Sequence, residues 1–297
     1  MKDKIILYLG GGAMCGIFGG GVVTALQEMN FYDKIEAIYA ESAGVMNGAA
    51  FLSKRTKLGS KIYLNELCHD FILNSNFLIT IFQRFWHRFI HEIPKKKIRN
   101  VVNIDYLFKV IKKKKLIDLK KIKQQPINFY VKLLNVNNGD VDYLDAKKYD
   151  TLKVLKAAVS IAPYYFGAQE INGKKYIDAG IKIPIGIQYI LAKHPNHKIV
   201  VVLNLKLKRK FKYYLINFLE GIIATAMYKA PPLFRCAMRR ENSVRRGIKL
   251  AQNNKRVLLI HLPANNPTMP WTTDYEKLKK TYEMGKRAAK KIIKFAK

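Results

Sequence analysis

Apolar positions along this chain follow two patterns. Short unbroken runs predict buried strands: IILYL within residues 4–9, IEAIYA at 35–40, INFYVKLLNV at 127–136, HKIVVVLNL at 197–205 and RVLLIHLP at 256–263. Between them, apolar residues recur at helical spacing over residues 16–30, with Asn30 near the end as a C-cap. The same spacing marks the stretch through Val45, Met46, Ala49, Ala50 and Leu52, then residues 151–159 and 274–296. NNGD at 137–140 and Asn172-Gly173 within AQEINGKKYID are hairpin-turn signals. Alternating strands and helices predict an α/β fold, a three-layer αβα sandwich around a mainly parallel central sheet.

Two regions depart from that alternation. Residues 60–125 are helical in pattern and basic, with the aromatic stretch ITIFQRFWHRFIHEIP, and read as an inserted helical cap. Residues 207–252 form a second basic helical region. No internal repeat and no long Gly/Ser/Pro linker divides the chain, so residues 1–297 are expected to form one domain with helical insertions. No apolar run reaches about 18 residues, which predicts no transmembrane helix. The opening MKDKIILYLGGG has the look of a secretory signal, but its apolar run is short and glycine follows at once, so a first buried strand is the expectation.

Charge adds a partner class. Lys and Arg number 54 against 21 Asp and Glu, a net charge of +33. Such a balance attracts polyanions, whereas lysines spread over solvated surfaces give the same total. No nucleic-acid-binding signature accompanies it, so specific nucleic-acid binding is not expected. Cys15, Cys68 and Cys236 form neither a metal-ligand spacing nor a disulfide framework, which fits a reducing, cytoplasmic setting.

Candidate chemistry concentrates at three places. The first is LYLGGGAMCGIFGGGVVTAL at 7–26, where glycine interrupts a strand running into a helix. Bare backbone there suits either a phosphate or the oxyanion of an acyl-transfer intermediate. A dinucleotide fingerprint counted from Gly10 would need glycine at position 15, which is Cys15, and there is no Walker lysine. The second is AESAG at 40–44, a serine at a strand-to-helix junction. Ser42 reads either as a nucleophile on a sharp turn or as a plain helix N-cap. The third is Asp178 in KKYIDAGIKIPI, either a base for Ser42 or the anchor of an Asx-turn. The histidines (His69, His87, His91, His194, His197 and His261) occupy no small-residue turn that would suit a triad. His87 and His91 are four apart but lack the HExxH pattern, so no metal site is expected.

Taken together, GGGAMCG at 10–16, AESAG at 40–44 and DAG at 178–180 resemble the motifs of patatin-like phospholipases, in the same order. GIFGGGVVTAL (16–26) and VSIAPYYFGAQEINGKKYIDAGIKIPI (159–185) are similar to the family's flanking segments, and YEKLKKTYEMGKRAAKK resembles the end of a bacterial branch. The resemblance implies a lipid acyl hydrolase of phospholipase A or lysophospholipase type. It would have a Ser42–Asp178 dyad without histidine, an acyl-enzyme, and an oxyanion hole among Gly10, Gly11, Gly12 and Ala13. No cofactor is implied. This chain departs from the family pattern in three ways: Cys15 precedes Gly16 where the family usually has Arg or Lys, Ala40 replaces the first glycine of the elbow that ends with Gly44, and Ala179 separates Asp178 from Gly180. The alternatives are a carboxylesterase or acyltransferase on the same dyad, or a non-catalytic lipid-binding protein. The basic-aromatic stretches at 77–93 and 207–235, with Lys95–Lys97, Lys112–Lys115 and Lys120–Lys121 nearby, favour peripheral contact with an anionic membrane or simply cover the sheet.

Overall fold

The computed structural model describes residues 4–72, 100–183, 185–207 and 212–296. The aromatic stretch at 77–93, with His87 and His91, and Lys95–Lys97 lie outside them. An eight-stranded sheet has the order β5-β6-β3-β2-β1-β7-β8, with β4 pairing β3. The parallel part consists of β1 (Ile5–Leu9), β2 (Ile35–Ala40), β3 (Asn128–Asn135), β7 (Lys198–Leu203) and β8 (Val257–His261). Strands β4 (Val141–Asp145), β5 (Gln169–Ile171) and β6 (Lys174–Asp178) are the antiparallel part. The parallel strands β1, β2 and β7 are buried along almost their whole length, as their unbroken apolar runs require.

Helices cover both faces. On one side lie α1 (Gly16–Glu28), α2 (Ala43–Leu52), α3 (Thr56–Lys61), α4 (Leu67–Asp70), α5 (Ile104–Lys113), α6 (Leu119–Gln124) and α7 (Thr151–Val159), whose apolar residues join β1, β2 and β3 in the largest core cluster. A π-helical stretch, Ile62–Glu66, links α3 to α4. Across the sheet, α8 (Ile187–Lys193) and α10 (Pro232–Gln252) pack on Ile6, Tyr8 and Val201. Helix α9 (Lys212–Tyr228) pairs with α10, and the two carry Ala224, Leu233 and Ala237 against Ala179 and Ile181. Leu215, Phe218 and Leu219 of α9 remain exposed. Among the described residues no helix is long and apolar enough to cross a membrane.

The last helix, α11 (Tyr275–Ala296), lies against α1. The contact is made backbone to backbone. A Cβ on Gly21 would stand 2.1 Å from the carbonyl of Tyr282, and one on Gly285 would stand 2.0 Å from that of Phe18. These glycines therefore serve helix-to-helix approach. Gly285→Ala is expected to lower unfolding free energy by about 1–3 kcal/mol, despite alanine's better helix propensity, because the added methyl pushes the helices apart. Urea denaturation measures this, and an unchanged midpoint would contradict the packing argument.

The register of β3 decides where the site lies. β4 pairs with Tyr130–Leu134 and so occupies one edge of β3 along that length. β2, opposite Asn128–Val131, and β6, opposite Leu133–Asn135, must then share the other edge. β2 runs parallel to β3 and β6 antiparallel, so their C-terminal ends point at each other. Ala40 faces Val131 and Asp178 faces Leu133. Ser42, two residues beyond Ala40, thus arrives beside the last residue of β6.

Candidate active site

Ser42 sits on the turn from β2 into α2 with φ 48° and ψ −130°. A left-handed φ on a residue with a side chain costs on the order of 1–3 kcal/mol, and the surroundings must hold it there. Glu41 N–H donates to Leu9 O at 3.1 Å, Gly44 N–H to Glu41 O at 2.9 Å and Val45 N–H to Ser42 O at 2.9 Å. Gly44 is demanded by proximity, since a Cβ there would lie 2.1 Å from Leu9 O. Ala40 ends β2, fully buried between Leu9 and Val131, so the strand accepts a methyl where an elbow usually has glycine. The Ser42 side chain makes no capping hydrogen bond to α2. Its placement is therefore not explained by helix capping.

Asp178 is buried. Its Oδ1 accepts the Gly180 N–H at 2.8 Å, which is the Asx-type turn read from the sequence. Its Oδ2 is buried with no hydrogen-bond partner. Burial pushes the carboxyl above the usual carboxylate range, and the Ser42 hydroxyl, the Gly180 N–H, Lys132 and Arg240 pull the other way without overcoming it. Ser42 is thus close enough to favour the ionised form.

The glycine loop runs past Ser42. A Cβ on Gly11 would lie 2.8 Å from Ser42 Cβ. Gly10 N–H is already used, donating to Val202 O at 2.8 Å, and Gly11 N–H leans on Glu41 Oε1 at 3.4 Å. That narrows the four sequence candidates for an oxyanion hole. Gly12 and Ala13 follow, with φ 151° and 48°, and Ala13 lines the same pocket as Ser42. Cys15 is buried. Its thiol donates to Thr268 O at 3.5 Å, and burial pushes it up to about 12, so it stays neutral. Gly16 cannot carry a side chain, because a Cβ would stand 2.6 Å from both Ala43 Cβ and Tyr63 Oη.

Several supporting residues carried no motif. Asn204, after β7, donates to Gly10 O at 2.6 Å and accepts Gly19 N–H at 2.9 Å. Asn47 donates to Gly16 O at 2.8 Å. Lys132, wholly buried in β3, pairs with Glu41 and donates to the Ile183 carbonyl and to Tyr8 Oη, the last at 3.2 Å. One ammonium group thereby ties together β1, the residue before Ser42 and the segment after Asp178. The available signal was a lysine interrupting the apolar run YVKLLNV and a glutamate beside the serine.

An apolar pocket is lined by Ala13 and Ser42 together with Met46, Ile62, Leu67, Ile104, Leu107 and Ile111. Its far wall thus comes from α4, α5 and the π-helical stretch, the described parts of the 60–125 region. The described histidines stand apart. His194 Nε2 is 2.9 Å from Tyr39 Oη, and His197 Nε2 is 2.8 Å from Glu36 Oε2, near the start of β2. His261 Nδ1 lies 2.9 Å from Leu262 O. Among the described residues, Glu36, His194 and His197 are the one group that brings three metal-type donor atoms within 4.8 Å of one another.

The family model described as patatin-like phospholipase matches residues 7–189. The crystal structure of VipD from Legionella pneumophila superposes on 98% of this chain and 67% of its own, at 12% identity and a TM-score of 0.45. That of the type III effector protein ExoU superposes on 99% of this chain and 53% of its own, at 10% identity and a TM-score of 0.45. The chain therefore spans about half the length of the ExoU chain. The search of curated proteins finds no match.

Proposed function

The chain belongs to the patatin-like phospholipase family, and from that premise we propose that it is a lipid acyl hydrolase of phospholipase A or lysophospholipase type, working through Ser42 and Asp178. One observation carries the reading. A strained serine that caps nothing lines an apolar pocket and lies near a buried aspartate, one of whose oxygens has no hydrogen-bond partner. A burdened turn of this kind is retained for chemistry more readily than for stability.

In the proposed mechanism the acyl chain of the substrate lies in the pocket and its ester carbonyl rests against the glycine loop. Ser42 Oγ forms a bond to the carbonyl carbon as its proton passes to Asp178 Oδ2. The N–H groups of Gly12 and Ala13 hold the oxyanion, and the N-terminal end of α2 adds its positive field. Collapse breaks the bond to the alcohol, which leaves with the proton from Asp178. Water then attacks the acyl-enzyme, gives its proton to Asp178 and releases the fatty acid, and the proton returns to Ser42. The net charge of +33 supports peripheral contact with anionic lipid as part of the same proposal.

Fatty-acid release from phospholipid vesicles, compared with cleavage of a short soluble ester, tests the reading. Release is expected from vesicles and is expected to vanish in Ser42→Ala. Activity confined to the short ester would favour a general carboxylesterase, and no Ser42-dependent release from either substrate would overturn the proposal.

The rate carries a pH signature. Asp178 must be ionised to act as the base, and burial raises the pH at which it ionises. The rate is therefore expected to fall as pH drops, with the acid limb above the ordinary aspartate value of about 3.9. A kcat/KM profile measures it, and a limb at or below that value would contradict the assigned base.

A further inference from the structure

Three apolar side chains of α9 face water. Leu215 is 62%, Phe218 40% and Leu219 39% exposed, at the i, i+3 and i+4 positions of one helical stripe. Asn217 and Glu220 of the same helix are buried instead, together with Ile223 and Ala224. Arg240 of α10 fixes this rotation. Its Nη1 donates to Glu220 Oε2 at 2.6 Å and to Asn217 Oδ1 at 3.4 Å, and the Tyr164 hydroxyl donates to Glu220 Oε1. Turning the apolar stripe into the core would break the Arg240–Glu220 pair and leave its charges unmatched. The exposure of Leu215, Phe218 and Leu219 is thus held in place by the helix's own buried polar contacts.

Helix α10 continues this surface. Phe234 meets Phe218 edge to face, with ring centroids 5.8 Å apart. The Tyr214 hydroxyl donates to Asn242 Oδ1 at 3.1 Å, and the Arg245 guanidinium lies 5.7 Å from the Tyr214 ring centroid. Phe234, Met238, Asn242 and Arg245 recur at helical spacing, which places the exposed Met238 on the side of α10 next to α9. Around the apolar row the charge has one sign. Lys229, Arg235, Arg239, Arg245, Arg246 and Lys249 are exposed, while the two acidic residues of α9 and α10, Glu220 and Glu241, are buried. The hairpin also adjoins the site. Ala224, Leu233 and Ala237 pack with Ala179 and Ile181, which follow Asp178, and Tyr164 stands three residues beyond Ile161, which lines the pocket with Ser42.

We infer that the α9–α10 hairpin is the surface that docks on an anionic lipid bilayer, with Leu215, Phe218, Leu219 and Met238 entering the interface and the arginines on headgroup phosphates. The inference rests on the lipid-hydrolase reading and adds the contact surface. The pairing of charge with apolar area selects the partner. An apolar row alone would suit a second copy of the chain, but two such hairpins face to face would set arginine against arginine. A basic face alone would suit nucleic acid, whose phosphates offer nothing to the apolar row. An anionic bilayer meets both, with phosphates for the arginines and hydrocarbon for the side chains between them. Docked in this way, the membrane lies against the hairpin that packs on the residues after Asp178.

The test separates docking from hydrolysis by using a Ser42→Ala background, in which no lipid is consumed. Sedimentation with vesicles rich in phosphatidylglycerol is expected to show tighter partitioning than with phosphatidylcholine vesicles. Leu215→Ser, Phe218→Ser and Leu219→Ser together are expected to weaken partitioning onto the anionic vesicles by about tenfold or more at an unchanged melting temperature. Arg235→Gln with Arg239→Gln is expected to weaken it by about tenfold and to flatten its dependence on salt. Should the apolar variant melt below the parent, the arginine pair decides. Lys290→Gln with Lys291→Gln makes the same charge change on exposed positions of α11, on the other face of the sheet, and is expected to alter partitioning by no more than about twofold. Three results would each overturn the inference: an effect of the α11 pair equal to that of the arginine pair, partitioning untouched by both hairpin variants, or no binding to anionic vesicles. None of these readouts depends on ester cleavage, so a failure of the hydrolase reading would be seen separately.

Discussion

Asp178→Asn is expected to cut fatty-acid release by about a thousandfold or more while leaving the melting temperature at neutral pH equal to or above that of the parent. The first effect follows from the proposed role. Asparagine cannot accept the serine proton, and removal of a base that works as a unit with its nucleophile typically costs about 10²–10⁴ or more in rate. The second follows from burial. The carboxyl is pushed up mainly by desolvation, and its Oδ2 has no hydrogen-bond partner. In the unfolded chain the same group ionises near 3.9. A carboxyl whose folded value is raised contributes stability that is fully present below the unfolded value and lost as pH rises through the folded one. At neutral pH the buried carboxyl therefore weakens the fold, and a neutral isostere removes that penalty. Asparagine keeps an Oδ1 able to accept the Gly180 N–H that Asp178 now binds at 2.8 Å. Thermal melting at pH 7 and near pH 4 measures the sign: the advantage of the variant should shrink at the lower pH. A variant that loses activity and melts well below the parent at neutral pH would show Asp178 to be a structural group.

Lys132→Met is expected to destabilise the protein by about 3–5 kcal/mol, because it strands a buried carboxylate. Lys132 is wholly buried and Glu41 nearly so, and the ammonium holds Glu41, the Tyr8 hydroxyl and the Ile183 carbonyl at once. Burial already pushes the Glu41 carboxyl up, Lys132 is the main opposing influence, and the nearby Asp178 adds to the rise. Without the lysine, Glu41 must take up a proton or draw in water, and either loosens the residue that precedes Ser42. Glu41→Gln in the same chain removes the stranded charge, so the doubly substituted protein is expected to recover most of the loss. Urea denaturation of the parent, both single variants and the double closes the cycle. A Lys132→Met protein as stable as the parent, or a double variant no better than Lys132→Met, would sink the account. A buried ion pair is weak evidence for net stability, so its retention here is better explained by what it positions.

Much of the frame was legible from local pattern. The apolar runs at 35–40 and 197–205 became central parallel strands because a strand covered on both faces tolerates no polar alternation. Asn172 and Gly173 turn the β5–β6 hairpin with φ 49° and 72°, the positive values their side chains permit. The junction of strand and helix at AESAG was readable too, since a strand, a serine and small residues occur in order. Other features were not. Helix α8 was not anticipated in the segment after IPI, and the π-helical stretch at 62–66 has no separate signature in a helical pattern. Gly19–Gly21 read as a means of packing α1 on the sheet. Instead, Gly21 meets the backbone of α11, and Gly19 meets the side chains of Asn47 and Asn204.

The sequence by itself determined the alternation of strands and helices, the family motifs in their order, and the residue types from which a serine chemistry can be built. Spacing and periodicity act over a few residues, and these features are local. Only the tertiary structure decided what those residues meet. Ser42 and Asp178 are 136 positions apart, and they come together because β2 and β6 converge on one edge of β3, a matter of pairing register. Which of the loop's N–H groups are already engaged was decided the same way, by Val202 and Glu41, which accept from Gly10 and Gly11. Cys15 gained its meaning from Thr268, a partner 253 residues further along the chain. Such contacts depend on which surfaces are left to face each other once the sheet has closed, and no local pattern encodes that.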